Sequence, residues 1–128
     1  MPLEKAEVVT AGGWGIGDKE HWQILEELAA LLRGAAGATR PPVDEGWAEE
    51  SQMIGQSGKT VRPKRYLGFG ISGVMHHMVG IQDSDFVIAV NSDPDAEIFK
   101  MCDFGVVGDL KEILPHLIRD TREKLQKK

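Results

Sequence analysis

Short apolar runs alternate with amphipathic stretches along this chain of 128 residues. Glu7 to Ala11 is apolar enough to predict a short buried strand, and 12–17, GGWGIG, follows as a loop. From Asp18 to Arg33 the pattern turns helical: Trp22, Leu25, Leu28, Ala29 and Leu32 share one face. Asp18 can cap that helix and Gly34 can stop it. Ala35 to Ala38 is a candidate strand, ended by Arg40-Pro41-Pro42. Residues 43–53 are polar around Trp47 and predict a loop or a single helical turn. Tyr66 to Ile71 reads as a strand and Ser72 to Val79 as a helix. Asp85 to Asn91 is the strongest strand, apolar on both faces, as a covered parallel strand is. Asp95 to Met101 predicts a short helix and Phe104 to Gly108 a strand. Asp109 opens a last helix with Leu110, Ile113, Leu114, Leu117 and Ile118 at helical spacing, and Pro115 is expected to break or kink it. The alternation predicts an α/β fold, a Rossmann-like doubly wound parallel sheet with helices on both faces.

Composition keeps this to a single domain over 1–128. A formal net charge of -5 and a short basic cluster, Arg62, Lys64 and Arg65, argue against a nucleic-acid binder. Cys102 is the one cysteine, which rules out an intrachain disulfide and suits a reducing compartment; its default role is a buried structural thiol. No run approaches the ~20 apolar residues of a membrane span. With no signal-peptide pattern at the N-terminus, the expected compartment is the cytoplasm.

Fifteen glycines are the compositional oddity, and they gather at the ends of apolar runs. Two stretches invite a phosphate reading. Residues 54–60, IGQSGKT, end like a P-loop. A P-loop needs a glycine five residues before Gly58, and Met53 stands there; Pro63 follows where a helix should begin. What is left is a polar turn, or a loop offering its backbone with Gln56 and Ser57 to a ligand. Residues 68–73, GFGISG, match G-x-G-x-x-G after a strand and before a helix, with Asp93 about 20 residues on. The glycines would let backbone N–H groups approach a pyrophosphate at a helix N-terminus, or would simply permit tight turns. His76 and His77 are adjacent and diverge by about 100° on a helix, so no metal site is expected from them. No G-x-S-x-G elbow is present, and no catalytic set emerges.

Six motifs in order sharpen this: VTAGGWG (9–15), GATRPPVDEGW (37–47), IGQSGKTV (54–61), GISGVMHH (70–77), AVNSDPDA (89–96) and DFGVVGDL (103–110). Over roughly residues 6–120 the chain resembles the C-terminal FAD-binding domain of the electron transfer flavoprotein alpha subunit. The resemblance implies an electron carrier rather than an enzyme, holding FAD and passing electrons between flavoprotein dehydrogenases and an acceptor. A beta-type subunit is the implied partner. Thr39 and the Ser72 turn, with Asn91, are implied at the pyrophosphate, and Asp109 and Leu110 at the adenosine. Arg40 is implied against the isoalloxazine, Ser57 near its N5 with Gln56 beside it, and His77 at the pyrimidine carbonyl side. Trp14, Ile54, Gly55, Gly73, Val74, Met75 and His76 complete the implied site. A cation and hydrogen-bond donors near the ring would stabilise negative charge on reduced flavin.

The chain departs from the family in places. Trp14 replaces the usual arginine of the first turn, so a positive charge is lost and a stacking ring gained. Thr39 and Ser57 exchange one hydroxyl for another, and His76 stands for the usual glutamine. The family's N-terminal domain has no counterpart in these residues. Two other readings stay open: an interaction module that kept the fold without flavin, and a nicotinamide- or nucleotide-binding enzyme using the 68–73 turn.

Overall fold

The computed structural model describes residues 2–55, 58–73 and 75–126. Five strands form one parallel sheet: β1 (Val8–Gly12), β2 (Ala35–Ala38), β3 (Arg65–Phe69), β4 (Phe86–Asn91) and β5 (Phe104–Val107), in the order β2-β1-β3-β4-β5. The chain steps one way from β1 to β2 and then crosses back to β3, so the direction of winding reverses between β1 and β3. In open α/β sheets that reversal leaves a crevice at the carboxyl ends of the strands.

Side-chain alternation sends each strand into two cores. Val9, Ala11, Tyr66, Val87 and Ala89 enter one, with Ile54, Ile71, Ile81 and Ile98 from the connections above it. Phe69 and Val90 enter the other, where helices α1 (Lys19–Leu31) and α4 (Leu110–Gln126) cover the sheet. The buried stripe of α1 is Trp22, Leu25, Leu28 and Ala29, and that of α4 is Leu110, Leu114 and Ile118. Arg122 of α4 pairs with Glu27 of α1 across the seam. Among the described residues the opposite face carries short pieces: 3-10 turns at Leu3–Lys5 and Glu97–Lys100, and α3 (Met75–Met78).

Several boundaries differ from the sequence expectation. Arg40-Pro41-Pro42 does not merely end β2; it opens helix α2 (Arg40–Asp44), since proline in a first helical turn gives up only an N–H that had no partner. The helix expected over Ser72–Val79 shrinks to the four residues of α3, and that expected over Asp95–Met101 to a 3-10 turn at Glu97–Lys100. Pro115 does not split the last helix, which runs unbroken from Leu110 to Gln126. Its missing N–H costs one bond to the Lys111 carbonyl at a half-buried position. Gly34 is not the left-handed residue that ends α1; Arg33 is, at φ 58°. Gly34 is needed for a different reason: a Cβ there would lie 2.2 Å from the Val8 carbonyl oxygen.

Candidate functional site

A cleft of about 630 Å³ opens at the carboxyl ends of β1 to β4. Each strand contributes the residues that follow it. Trp14 and Gly15 come after β1, Thr39, Arg40 and Pro41 after β2, and Gly70 and Ser72 after β3. Asn91, Asp93, Asp95, Ala96 and Glu97 come from the end of β4, and Ile54 and His77 line the cleft as well. The size suits a nucleotide-like ligand.

The polar groups are few and mostly held. Asn91 donates its side-chain N–H to the Ile71 carbonyl at 2.9 Å and accepts from the Asp93 N–H at 2.9 Å, so it ties the β3 and β4 loops together. Asp93 in turn accepts from the Asp95 N–H. Thr39 sits at the N-cap of α2, but its hydroxyl makes no capping bond there. Arg40 is 61% exposed and meets Asp44 only at 3.8 Å, leaving its guanidinium loosely held at the cleft lip. His77 is buried, with Nε2 2.6 Å from the Tyr66 hydroxyl and Nδ1 3.1 Å from the Ile54 carbonyl oxygen. Among the described residues no group of three His, Cys, Asp or Glu could hold a metal ion.

Of the residues nominated from sequence, the cleft brings together Trp14, Thr39, Arg40, Ile54, Ser72, His77 and Asn91. Gly55 and Gly73 are not among its lining; Gly73 borders a smaller hollow with Met78 and Met101. Asp109 caps α4, accepting from the Lys111 N–H at 2.9 Å, and Leu110 is buried in the core. Gln56, Ser57 and Val74 lie outside the described residues, as do the side chains of Met75 and His76. Asp95, Ala96 and Glu97 are not among the nominated site residues, although the first two close the 89–96 motif. Their signal was position: they follow a central parallel strand at its carboxyl end.

The glycine turn needs a revised account. A Cβ on Gly13 would stand 2.6 Å from the Gly70 carbonyl oxygen, and one on Gly15 would stand 2.7 Å from the Gly70 Cα. Gly70 itself has φ +68° and would strike Gly15. Gly73, at φ +92°, is pressed against the Ile98 backbone. These glycines are spent on loop-to-loop packing, and the helix described behind them is the short Met75–Met78. The dinucleotide fingerprint thus loses the long helix whose N-terminus it relies on. Lys59 is also accounted for: it turns to Glu4, 3.2 Å away, and lines a separate hollow with Pro2 and Leu3.

Fold and cleft together define a doubly wound α/β domain with a ligand crevice at its switch point. Residues 2–82 match the family model described as the electron transfer flavoprotein FAD-binding domain. Similar curated proteins include Protein FixB of Clostridium saccharobutylicum, 46% identical over 123 residues, which are 96% of this chain and 37% of that protein. The electron transfer flavoprotein subunit alpha of Thermoanaerobacterium thermosaccharolyticum is 46% identical over 94% of this chain and 37% of its own length. The mitochondrial alpha subunit of Arabidopsis thaliana is 45% identical over 95% of this chain and 34% of its own. The chain belongs to the electron transfer flavoprotein alpha family, and it spans little more than a third of the length of these relatives. Among solved structures, a thiamin diphosphate-dependent enzyme from Mycobacterium smegmatis superposes with TM-score 0.57 at 12% identity, covering 91% of this chain and 25% of that one. That likeness concerns the fold alone.

Proposed function

We propose that this chain is the FAD-binding domain of an electron transfer flavoprotein alpha-type subunit, an electron carrier between flavoprotein dehydrogenases and an acceptor. One observation carries the reading: seven nominated residues, from four strand ends and two connections, line a single cleft at the switch point of the sheet. Family membership makes FAD the cofactor to test first.

The donor set fits such a cofactor. The hydroxyls of Thr39 and Ser72 can donate to phosphate oxygens, and the Arg40 guanidinium can sit against an electron-rich ring. Three carboxylates, Asp93, Asp95 and Glu97, oppose phosphate on that side of the cleft and suit ribose or ribityl hydroxyls instead. Flavin, when bound, supplies reversible one- and two-electron chemistry. The chain's own residues bind it, orient it and keep a positive charge at the lip; no acid, base or nucleophile is required. A beta-type subunit would close the open side. No described helix is long and apolar enough to cross a membrane. The single cysteine supports a reducing compartment, and cytoplasm is our reading of it.

The test is a titration of the purified chain with FAD, followed by flavin absorbance and fluorescence, alone and with a beta-type subunit. Saturable uptake of FAD in preference to NAD(H) or ATP is expected. No uptake in either condition would overturn the proposal.

A further inference from the structure

Tyr66 lies on β3 with none of its surface exposed, and the flavin reading gives it no role. Its hydroxyl is 2.6 Å from His77 Nε2, and His77 Nδ1 is 3.1 Å from the Ile54 carbonyl oxygen. A carbonyl can only accept, so Nδ1 carries the ring proton. In a neutral imidazole Nε2 is then the acceptor and Tyr66 the donor. Burial pushes the Tyr66 phenol well above its ordinary range, which keeps that proton in place. The relay therefore runs from the middle of the sheet to Ile54, where the chain enters the 54–60 segment.

The residues after α3 grip the same segment twice more. A Cβ on Gly80 would stand 2.7 Å from the Gly55 nitrogen, so the two backbones touch. The Gly80 carbonyl accepts from the Val61 N–H at 2.9 Å. Within the segment, the Gly55 N–H donates to the Lys59 carbonyl at 3.0 Å and the Lys59 N–H to the Met53 carbonyl at 2.9 Å. Ile54 is thus met by His77, Gly55 by Gly80, and Val61, just past the segment, by the Gly80 carbonyl.

We propose that Tyr66 is a positioning residue: through the tautomer and orientation it imposes on His77, it fixes Ile54 at the cleft, and with it the Gly55 and Lys59 backbone bonded behind it. The relay stands on hydrogen-bond geometry, while its consequence for FAD rests on the flavin reading of the cleft. Tyr66→Phe keeps the ring and removes the donor. Nε2 can then take the proton, and the Ile54 carbonyl loses its donor whenever it does.

The experiment uses the 128-residue chain. Nitrogen NMR of the His77 ring in the wild type should report the Nδ1–H tautomer. In Tyr66→Phe the two tautomers should mix. Amide exchange at Gly55 and Lys59 should quicken about tenfold, the scale of one buried hydrogen bond, while Val9 and Val87 in the sheet stay protected. FAD affinity, measured with a beta-type subunit present, should fall about tenfold as well. An Nε2–H tautomer in the wild type overturns the proposal, as does unchanged loop exchange in the variant. Faster loop exchange with FAD affinity held within twofold overturns its link to the cleft. If Tyr66→Phe does not fold, the wild type decides: a single Nδ1–H tautomer of His77 with slow exchange at Gly55 supports the relay, and mixed tautomers or fast exchange there overturn it. A wild type that shows the tautomer but takes up no FAD sinks the flavin reading and leaves the relay standing.

Discussion

The ring of Trp14 stacks on the ring of Trp47, centroids 5.8 Å apart and planes inclined by 18°. Trp14 is 61% exposed and lines the cleft, at the position where the sequence resemblance implies an arginine. The pair keeps an aromatic platform at the cleft while giving up a charge. Trp14→Ala should therefore cost only about 1 kcal/mol of stability, the worth of one ring pair, and should abolish the paired-indole signal in near-ultraviolet circular dichroism. Trp14→Arg should tighten FAD binding several-fold at low salt, with the gain fading near 1 M salt, where charges are screened within ~3 Å. Titrations at two salt concentrations check this; a gain that ignores salt would mean the new side chain acts by packing.

The loops after β1 and β3 meet glycine on glycine, so they have no slack. Gly13→Ala drives a Cβ to 2.6 Å from the Gly70 carbonyl oxygen. A loss of about 3 kcal/mol is expected, together with most of the FAD affinity. Gly46→Ala is the control: nothing lies within 4 Å of its Cβ, and its φ of +79° alone should cost about 1–2 kcal/mol. Chemical denaturation of the two variants checks the contrast. Equal losses would mean that the loop contact is not tight in solution.

Asp18 caps α1, accepting from the His21 backbone N–H at 2.8 Å and from the His21 ring at 2.7 Å. The backbone bond first, and the ring bond second, lower its carboxyl from 3.8 to about 2. The sign follows: the cap stabilises fully above the unfolded value of 3.8 and is lost as pH falls through about 2. Asp18→Asn keeps a cap without the charge, so its stability should vary less than wild type over that window. Denaturation midpoints measured from pH 5 to pH 2 read the difference, and parallel curves would rule out Asp18 as their source.

Arg40 has little to do with holding the fold, since among the described residues it pairs with the exposed Asp44 at 3.8 Å. Arg40→Ala should change stability by less than about 0.5 kcal/mol. If the guanidinium faces the flavin, the same change weakens FAD binding several-fold and lowers the flavin reduction potential, because a positive charge favours the reduced, more negative ring. Arg40→Lys should retain part of both. Spectroelectrochemistry of the two variants checks it; an unmoved potential would remove Arg40 from the ring.

The fold was largely legible because strand and helix periods differ and each strand carried its own period. The β4 run could be read as doubly covered because Val87 and Ala89 serve one core and Ile88 and Val90 the other. What failed were short helices and turn geometry, which tertiary contact decides. Nothing local announces that Arg33 rather than Gly34 takes the left-handed conformation; that follows from Gly34 abutting Val8. Much of the cleft came from six motifs in order, each weak alone. The Tyr66–His77–Ile54 relay was invisible, because its members are 11 and 23 residues apart and only the sheet brings them together.

Helix α4 follows the five described strands along the chain, and it covers the face where Trp22 is fully buried. Without α4 the five described strands would still be in place, but Trp22, Leu25 and Leu28 would lack the cover of Leu114 and Ile118. The seventeen residues of Leu110–Gln126 are thus what separates a covered apolar flank from an adhesive one.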